Sequence, residues 1–227
     1  MQPYIFPYIG YFQLIGAVDK FIFYDDVNYI NKGWINRNQI LVNGKPHLFT
    51  VPLLEASQNR HINEIALFED ESWKSRFLKT LEHSYKKAPY IGDVTLLIKQ
   101  ILYSGLTHIQ QLTSASVMLV SHFLDLETKF VESSSIYNND YLKGQDRILD
   151  ICIREQADHY INPIGGKEIY TTSIFEQKGI KLNFLKTRSI IYRQFSAEFV
   201  SNLSIIDVLM FNTKAEVRSM LNLYELQ

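Results

Sequence analysis

Met1-Gln-Pro-Tyr-Ile-Phe-Pro-Tyr-Ile-Gly-Tyr-Phe-Gln-Leu-Ile-Gly-Ala-Val-Asp-Lys-Phe-Ile-Phe-Tyr-Asp-Asp26 is the stretch on which the fold turns. Asp19 to Tyr24 is a short aromatic and β-branched run that stops at two acidic residues. It reads as a buried strand delivering Asp25 and Asp26 at its carboxyl end. Tyr11 to Val18 has room only for a short helix. Loop, helix and strand in that order predict an α/β unit.

Downstream, Gln39 to Leu53 places Asn43-Gly44 between two apolar runs, the strongest short-range hairpin signal, with Pro46 and Pro52 confining those strands to edges. Ile62 to Phe68 reads as a further strand. From Glu71 the apolar period changes: Trp73, Phe77, Leu78, Leu81 and Tyr85 recur at three and four residues, a helix that ends before Pro89. Val94 to Leu102 and Ile109 to Leu126 repeat that pattern, the second capped by Thr107. Alternation then resumes, with strands at Thr128 to Glu132, His159 to Asn162 and Ile180 to Leu185. Helices are expected at Asp146 to Gln156, Lys167 to Lys178, Ser204 to Phe211 and Ala215 to Leu221. Short links between strand and helix imply right-handed crossovers. The expected fold is therefore α/β: one domain over 1–227, with a mostly parallel Rossmann-like sheet, a β-hairpin and a helical insertion at about 70–127.

Composition narrows the functions. With 23 Lys and Arg against 24 Asp and Glu, the net charge is -1, which argues against polyanion binding and hence against a nucleic-acid partner. The single cysteine, Cys152, cannot form an internal disulfide and sits in an apolar helical pattern, so it reads as a buried hydrophobe in a reducing cytoplasm. No stretch reaches about 18 uncharged apolar residues, so no membrane insertion is expected. Six histidines without a close pair give no metal-ligand spacing. The aromatic surplus is distinctive: fourteen Tyr and fourteen Phe, five of them aromatics within the first twelve residues.

Four segments carry candidate chemistry. In the opening loop Pro3 and Pro7 stiffen the chain and Gly10 frees it where a helix begins; free N–H groups there suit an anion, while Tyr4, Tyr8 and Tyr11 offer faces for a base or sugar. The competing reading is that these aromatics plug the end of the sheet. Asp25 and Asp26, at a strand's carboxyl end, are the catalytic candidates, able to orient or deprotonate an amine; a plain turn with solvated aspartates is the alternative. Asn28 to Asn38 holds Lys32, Trp34, Asn36 and Arg37, a set suited to a polar, anionic, partly planar ligand, or to a turn using asparagine for local bonding. Lys143-Gly-Gln-Asp-Arg147 contributes Gln145, Asp146 and Arg147. Ile161-Asn-Pro-Ile-Gly-Gly-Lys167 contributes Asn162, Gly165 and Gly166, the glycine pair being read as a helix-start anion cradle. Asp207, inside an apolar helix, needs a partner.

Together these segments resemble the WbqC-like protein family, on Gln2 to Ile15, Tyr24-Asp-Asp-Val27, Gly33-Trp-Ile-Asn-Arg-Asn38, Lys143 to Arg147, Tyr160 to Gly166 and Leu203 to Asn212. That family is associated with O-antigen and other surface-polysaccharide gene clusters. The resemblance implies modification of a nucleotide-linked amino sugar; with the residues above, the leading expectation is a cytoplasmic transferase that places an acyl or aminoacyl group on its amine. It would draw on an activated acyl donor, or on ATP with Mg²⁺, with no resident cofactor indicated. An ATP-dependent nucleotidylyl-transferase-like ligase and a non-catalytic sugar-nucleotide-binding accessory protein stay open, as does a homodimer. Family members usually carry an apolar first strand before the Gln-Pro-Tyr motif. Here Met1 precedes it directly, so either the start lies upstream or the sheet lacks that strand.

Overall fold

The computed structural model describes residues 1–195 and 198–227. After an irregular opening loop, α1 (Ile9–Gly16) leads into β1 (Lys20–Ile22), and β2 (Arg37–Val42) and β3 (Lys45–Thr50) follow as a hairpin. Asn43 at φ 50° and Gly44 at φ 74° make the turn, as a two-residue loop with both central residues left-handed requires. Three helices come next: α2 (Glu71–Ser84), α3 (Ile91–Leu102) and α4 (Ile109–Phe123). Then come β4 (Lys129–Val131), α5 (Gly144–Arg154), β5 (His159–Pro163), α6 (Thr172–Glu176), β6 (Lys181–Thr187), α7 (Ile205–Phe211), α8 (Lys214–Met220) and β7 (Tyr224–Leu226).

The protein is thus mixed α/β, but its strands form three small sheets. β1 pairs with β4 in parallel, Phe21 opposite Phe130; β5 pairs with β6 in parallel, Ile161 opposite Asn183; β7 adds to β6 antiparallel, and the hairpin stands apart. The single continuous sheet expected from the alternation is therefore divided.

Three local readings also change. Ile62 to Phe68 is a 3-10 turn at Ile62–Glu64 followed by isolated bridges, Ala66 to His108 and Leu67 to Leu53, not a strand. Its apolar residues Ile62 and Ile65 are wholly buried, so the alternation serves the core without a ladder. The cap of α4 is His108, in a reciprocal box with Gln111, while Thr107 bonds the histidine ring instead. Lys167 to Lys178 is not one helix: a 3-10 turn covers Ile164–Gly166 and α6 starts only at Thr172, because Tyr170 and Phe175 both pack on Tyr160, with ring centroids 5.7 and 5.6 Å away.

The main core joins α1, β1, the hairpin and α2 to α4 with α7; a second cluster gathers Leu149, Cys152, Phe175, Ile180, Leu182 and Phe184 between α5, α6 and β6. Cys152 is buried there and its thiol is pushed up to about 12 by desolvation, which leaves it an unreactive hydrophobe. Asp207 meets the need seen in the sequence: Tyr85 and Tyr192 hydroxyls donate to it at 2.7 and 2.6 Å, and Gln194 Nε2 at 2.8 Å.

Candidate functional site

The opening loop and the start of α1 lie against the carboxyl ends of β1 and β6: Met1 bonds Ile22 and Tyr24 at the one, and Thr187 comes up to Gly10 at the other. Phe6 holds that loop in shape. Its backbone lies at φ 41°, strained for an aromatic residue, and both its polar groups are tied down. Ser116 Oγ of α4 accepts its N–H at 3.2 Å, and its carbonyl accepts from Asn38 Nδ2 at 2.8 Å and Ser204 Oγ at 2.7 Å. The loop is thereby fixed in the fold, with Tyr4 half-buried and Tyr8 exposed.

Tyr8 is the N-cap residue of α1, no side chain caps that helix's first turn, and 37% of Tyr8 is exposed. Gly10 is forced by what surrounds it: a Cβ there would meet the Tyr8 ring and lie 2.7 Å from Thr187 Oγ1 at the end of β6. Tyr4 is half-buried, its ring centroid 5.8 Å from that of Tyr11. Burial raises both phenols above their ordinary range, which keeps them neutral hydrogen-bonding groups. Tyr11 is not a pocket wall as expected. It is wholly enclosed, its hydroxyl donates to Gln2 O at 2.8 Å, and its ring lies 5.5 Å from that of Phe21; with Phe6 and Phe12 it belongs to the core.

Asp25 and Asp26 follow β1 and are both buried. Asp26 Oδ2 pairs with Arg147 Nη2 at 2.5 Å, and the guanidinium also reaches Asp26 O at 3.3 Å and Asn139 Oδ1 at 2.9 Å while stacking 4.8 Å from the Tyr24 ring centroid. Asp25 Oδ1 accepts from Ser133 Oγ at 2.8 Å and Ser134 N–H at 3.0 Å, whereas its Oδ2 is buried with no hydrogen-bond partner. Desolvation therefore pushes the Asp25 carboxyl upward, despite those donors. Ser134 Oγ bonds both aspartates.

Around this centre Asn162 lies at the end of β5, its Nδ2 2.5 Å from where a Gly166 Cβ would stand, and Gln145 Oε1 accepts Thr171 N–H at 2.5 Å. Asp146 is exposed in the first turn of α5. The expected helix-start cradle at Gly165-Gly166 is a single 3-10 turn instead, six residues ahead of α6.

The tryptophan loop stands by itself. Arg37 donates to Lys32 O and, through Nε at 3.0 Å, to Gly33 O, and stacks 5.9 Å from the exposed Trp34 ring. Asn36 is buried, accepting from Tyr29 OH and donating to Val51 O, both at 2.8 Å, and so has a structural place. Ile5 N–H donates to Ile35 O at 3.0 Å, which lays this loop beside the opening one.

Sequence reasoning missed Tyr24, Ser133, Ser134, Asn139, Tyr170 and Thr187. A signal existed for the serines, since Ser133-Ser134-Ser135 directly follows a strand. The principal cavity, about 410 Å³, lies elsewhere: it runs between β1 and β5 and takes Tyr24 and Asn162 from the site but not Asp25, Asp26, Tyr8, Arg37 or Gly165. Among the described residues no group of His, Cys, Asp and Glu could hold a metal, and no helix is long and apolar enough to cross a membrane.

A mixed α/β chain with small parallel pairs and a buried Asp26–Arg147 pair just beyond β1 defines the class. The profile of the WbqC-like protein family matches residues 2–219, and the chain belongs to that family. It is also similar to an uncharacterized protein of Mycobacterium tuberculosis (strain ATCC 25618 / H37Rv), 26% identical over 220 residues, which span 95% of this chain and 93% of the relative. No solved structure matches the chain.

Proposed function

We propose that this chain is an enzyme of cell-surface polysaccharide assembly that binds a nucleotide-linked amino sugar in the carboxyl-end crevice and transfers an acyl or aminoacyl group to its amine. On this reading the two parallel pairs are parts of one Rossmann-like arrangement, in which ligands gather where strands end. The observation that carries it is that Tyr24 and Asn162 line the cavity between β1 and β5, while Tyr4 and Tyr8 stand near each other in the opening loop with the uncapped first turn of α1 following Tyr8. Tyrosine faces and neutral hydroxyls suit a base or sugar; the amides of α1 suit a phosphate.

The roles of the aspartates follow from their enclosure. Asp26 is a positioning residue that fixes Arg147, and Asp25 fixes the Ser133–Ser134 turn beneath the rim. Rate then comes chiefly from holding the amine and the acyl carbon in line. One observation favours a second reading, a sugar-nucleotide-binding accessory protein: both carboxylates are buried, Asp26 in its pair with Arg147 and Asp25 with Oδ1 on the Ser133–Ser134 turn, so neither is presented to a ligand.

Calorimetry with UDP- and dTDP-linked amino sugars, followed by mass spectrometry with acyl-thioester donors, separates these. The proposal expects binding that Tyr8→Ala weakens at least tenfold and a mass gain on the sugar. Binding without a mass gain moves the protein to the accessory reading. Absence of binding overturns both.

A further inference from the structure

Asn162 comes at the end of β5, just before Pro163, whose ring removes the N–H that would carry the ladder further. The chain then doubles back through the 3-10 turn Ile164–Gly166, which Lys167 N–H closes on Ile164 O at 3.1 Å. That return lays Gly166 against the Asn162 side chain. A Cβ on Gly166 would stand 2.5 Å from Asn162 Nδ2, 3.0 Å from its Cγ and 3.3 Å from Cε2 of Tyr170, so only glycine lets the amide lie where it does. An amide fitted this closely is normally held by hydrogen bonds, as those of Asn36, Asn38, Asn139 and Asn183 are. Asn162 is half-buried, yet among the described residues its amide has no hydrogen-bond partner.

Side chains two apart on a strand share a face, so Asn162 stands on the side of β5 where Tyr160 joins the cluster under α5 and α6. Tyr24 projects toward α5 as well, from just beyond β1, with the Arg147 guanidinium 4.8 Å from its ring centroid. Both side chains border the cavity between the two strands. Arg147 itself is spent, donating to Asp26 Oδ2 at 2.5 Å and to Asn139 Oδ1 at 2.9 Å. What Tyr24 and Asn162 present together is a flat ring, a hydroxyl and an unbonded amide. Neither side chain carries a charge, so the pair suits an uncharged, planar group and not a diphosphate.

We infer that Asn162 is a specificity-determining residue, its amide reading the imide edge of a uracil or thymine base that lies beside Tyr24. The inference rests on the sugar-nucleotide reading above and names the part of the ligand that this corner takes. A primary amide holds an acceptor and a donor side by side. The N–H and adjoining C=O of a pyrimidine imide also lie side by side, so the two edges close two hydrogen bonds at once. A secondary amide, such as an acylated sugar amine, is trans and points its N–H and C=O in opposite directions, so it closes only one. Bidentate pairing of an amide with a base edge discriminates about tenfold or more. Gly166 acts as a positioning residue, because the room it leaves fixes where the amide can lie.

Calorimetry of the 227-residue chain with uridine diphosphate and with its N3-methyl derivative tests this. The methyl group removes the imide proton and leaves the phosphates unchanged. The parent is expected to bind uridine diphosphate at least tenfold more tightly than the methylated form. Asn162→Ala, which breaks no hydrogen bond within the protein, is expected to bind the two alike. Gly166→Ala should abolish the preference too, by displacing the amide, and the double variant should bind no more weakly than Asn162→Ala, because the two changes act through one group. Equal binding of both nucleotides by the parent overturns the inference and leaves the sugar-nucleotide reading standing. A preference that survives in Asn162→Ala does the same. Binding of neither nucleotide by the parent overturns the inference together with the reading on which it rests.

Discussion

Replacing Arg147 by Met removes the cation from the most enclosed ion pair among the described residues, that with Asp26. The side chain is 2% exposed and its partner carboxylate 9%, so water cannot take over the interaction. Asp26 Oδ2 loses a 2.5 Å charged bond, Asp26 O loses a 3.3 Å one, and Asn139 Oδ1 loses a 2.9 Å donor; Ser134 Oγ on Oδ1 is the side-chain donor that stays. Breaking a buried pair from one side leaves an uncompensated charge, which costs about 3–5 kcal/mol. Methionine keeps most of the stem's packing against Tyr24, so the loss is chiefly electrostatic. Urea unfolding at pH 7 measures it. One further measurement identifies the cause. Adding Asp26→Leu should recover more than half, because an apolar pair of similar volume is close to neutral against a buried ion pair. A loss under about 1 kcal/mol, or a double variant no more stable than Arg147→Met, would refute the reasoning.

Burial pushes the Met1 amine down to about 5 from an ordinary 8, despite the favourable charge of Asp25. Between those values the unfolded chain holds a proton that the folded chain has shed. Stability therefore rises with pH across about 5 to 8, by up to roughly 4 kcal/mol at about 1.36 kcal/mol per unit. Acetylating the amine should flatten that slope, and an unchanged slope in urea titrations would contradict the burial. Tyr85→Phe strips a donor from Asp207 and an acceptor from Leu41 N–H, both buried, and is expected to lose about 1–3 kcal/mol by calorimetry. Gly10→Ala drives a methyl toward Thr187 Oγ1 and the Tyr8 ring; sugar-nucleotide binding should fall at least tenfold with far-UV circular dichroism unaltered, and unchanged affinity would place Tyr8 outside the site.

Elements whose cause is local were legible in the chain. Asn43-Gly44 demands left-handed backbone at both positions, and no tertiary contact could override that. The three helices between Glu71 and Phe123 follow from spacing alone. Ile62 to Phe68 was not legible, because the same alternation satisfies a buried turn and isolated bridges equally well. Nor was β7, three residues whose pairing with Leu185 to Thr187 is set by the far end of β6. In the site, adjacency within a segment was visible and pairing between segments was not. Asp26 and Arg147 were both singled out, yet their bond crosses 121 positions, so nothing local joined them. Arg37 and Asn36 looked free in the sequence because the carbonyls that absorb them have no signature there.

Phe6 has a bearing on how small this protein could be made. Its backbone is fastened by Ser116, Asn38 and Ser204, drawn from α4, the hairpin and the start of α7, at separations of 110, 32 and 198 residues. The three-helix stretch carries none of the rim side chains, and by position it looks dispensable. Yet α4 supplies the hydroxyl that holds the tyrosine loop's shape, and α7 supplies another from the opposite end of the chain. A shortened chain without residues 71–123 would retain Tyr4, Tyr8, Asp26 and Arg147 while losing the fixture that sets the distance between them. The crevice is therefore a property of the finished chain, and grafting its visible residues onto a smaller scaffold would transfer the side chains without the spacing.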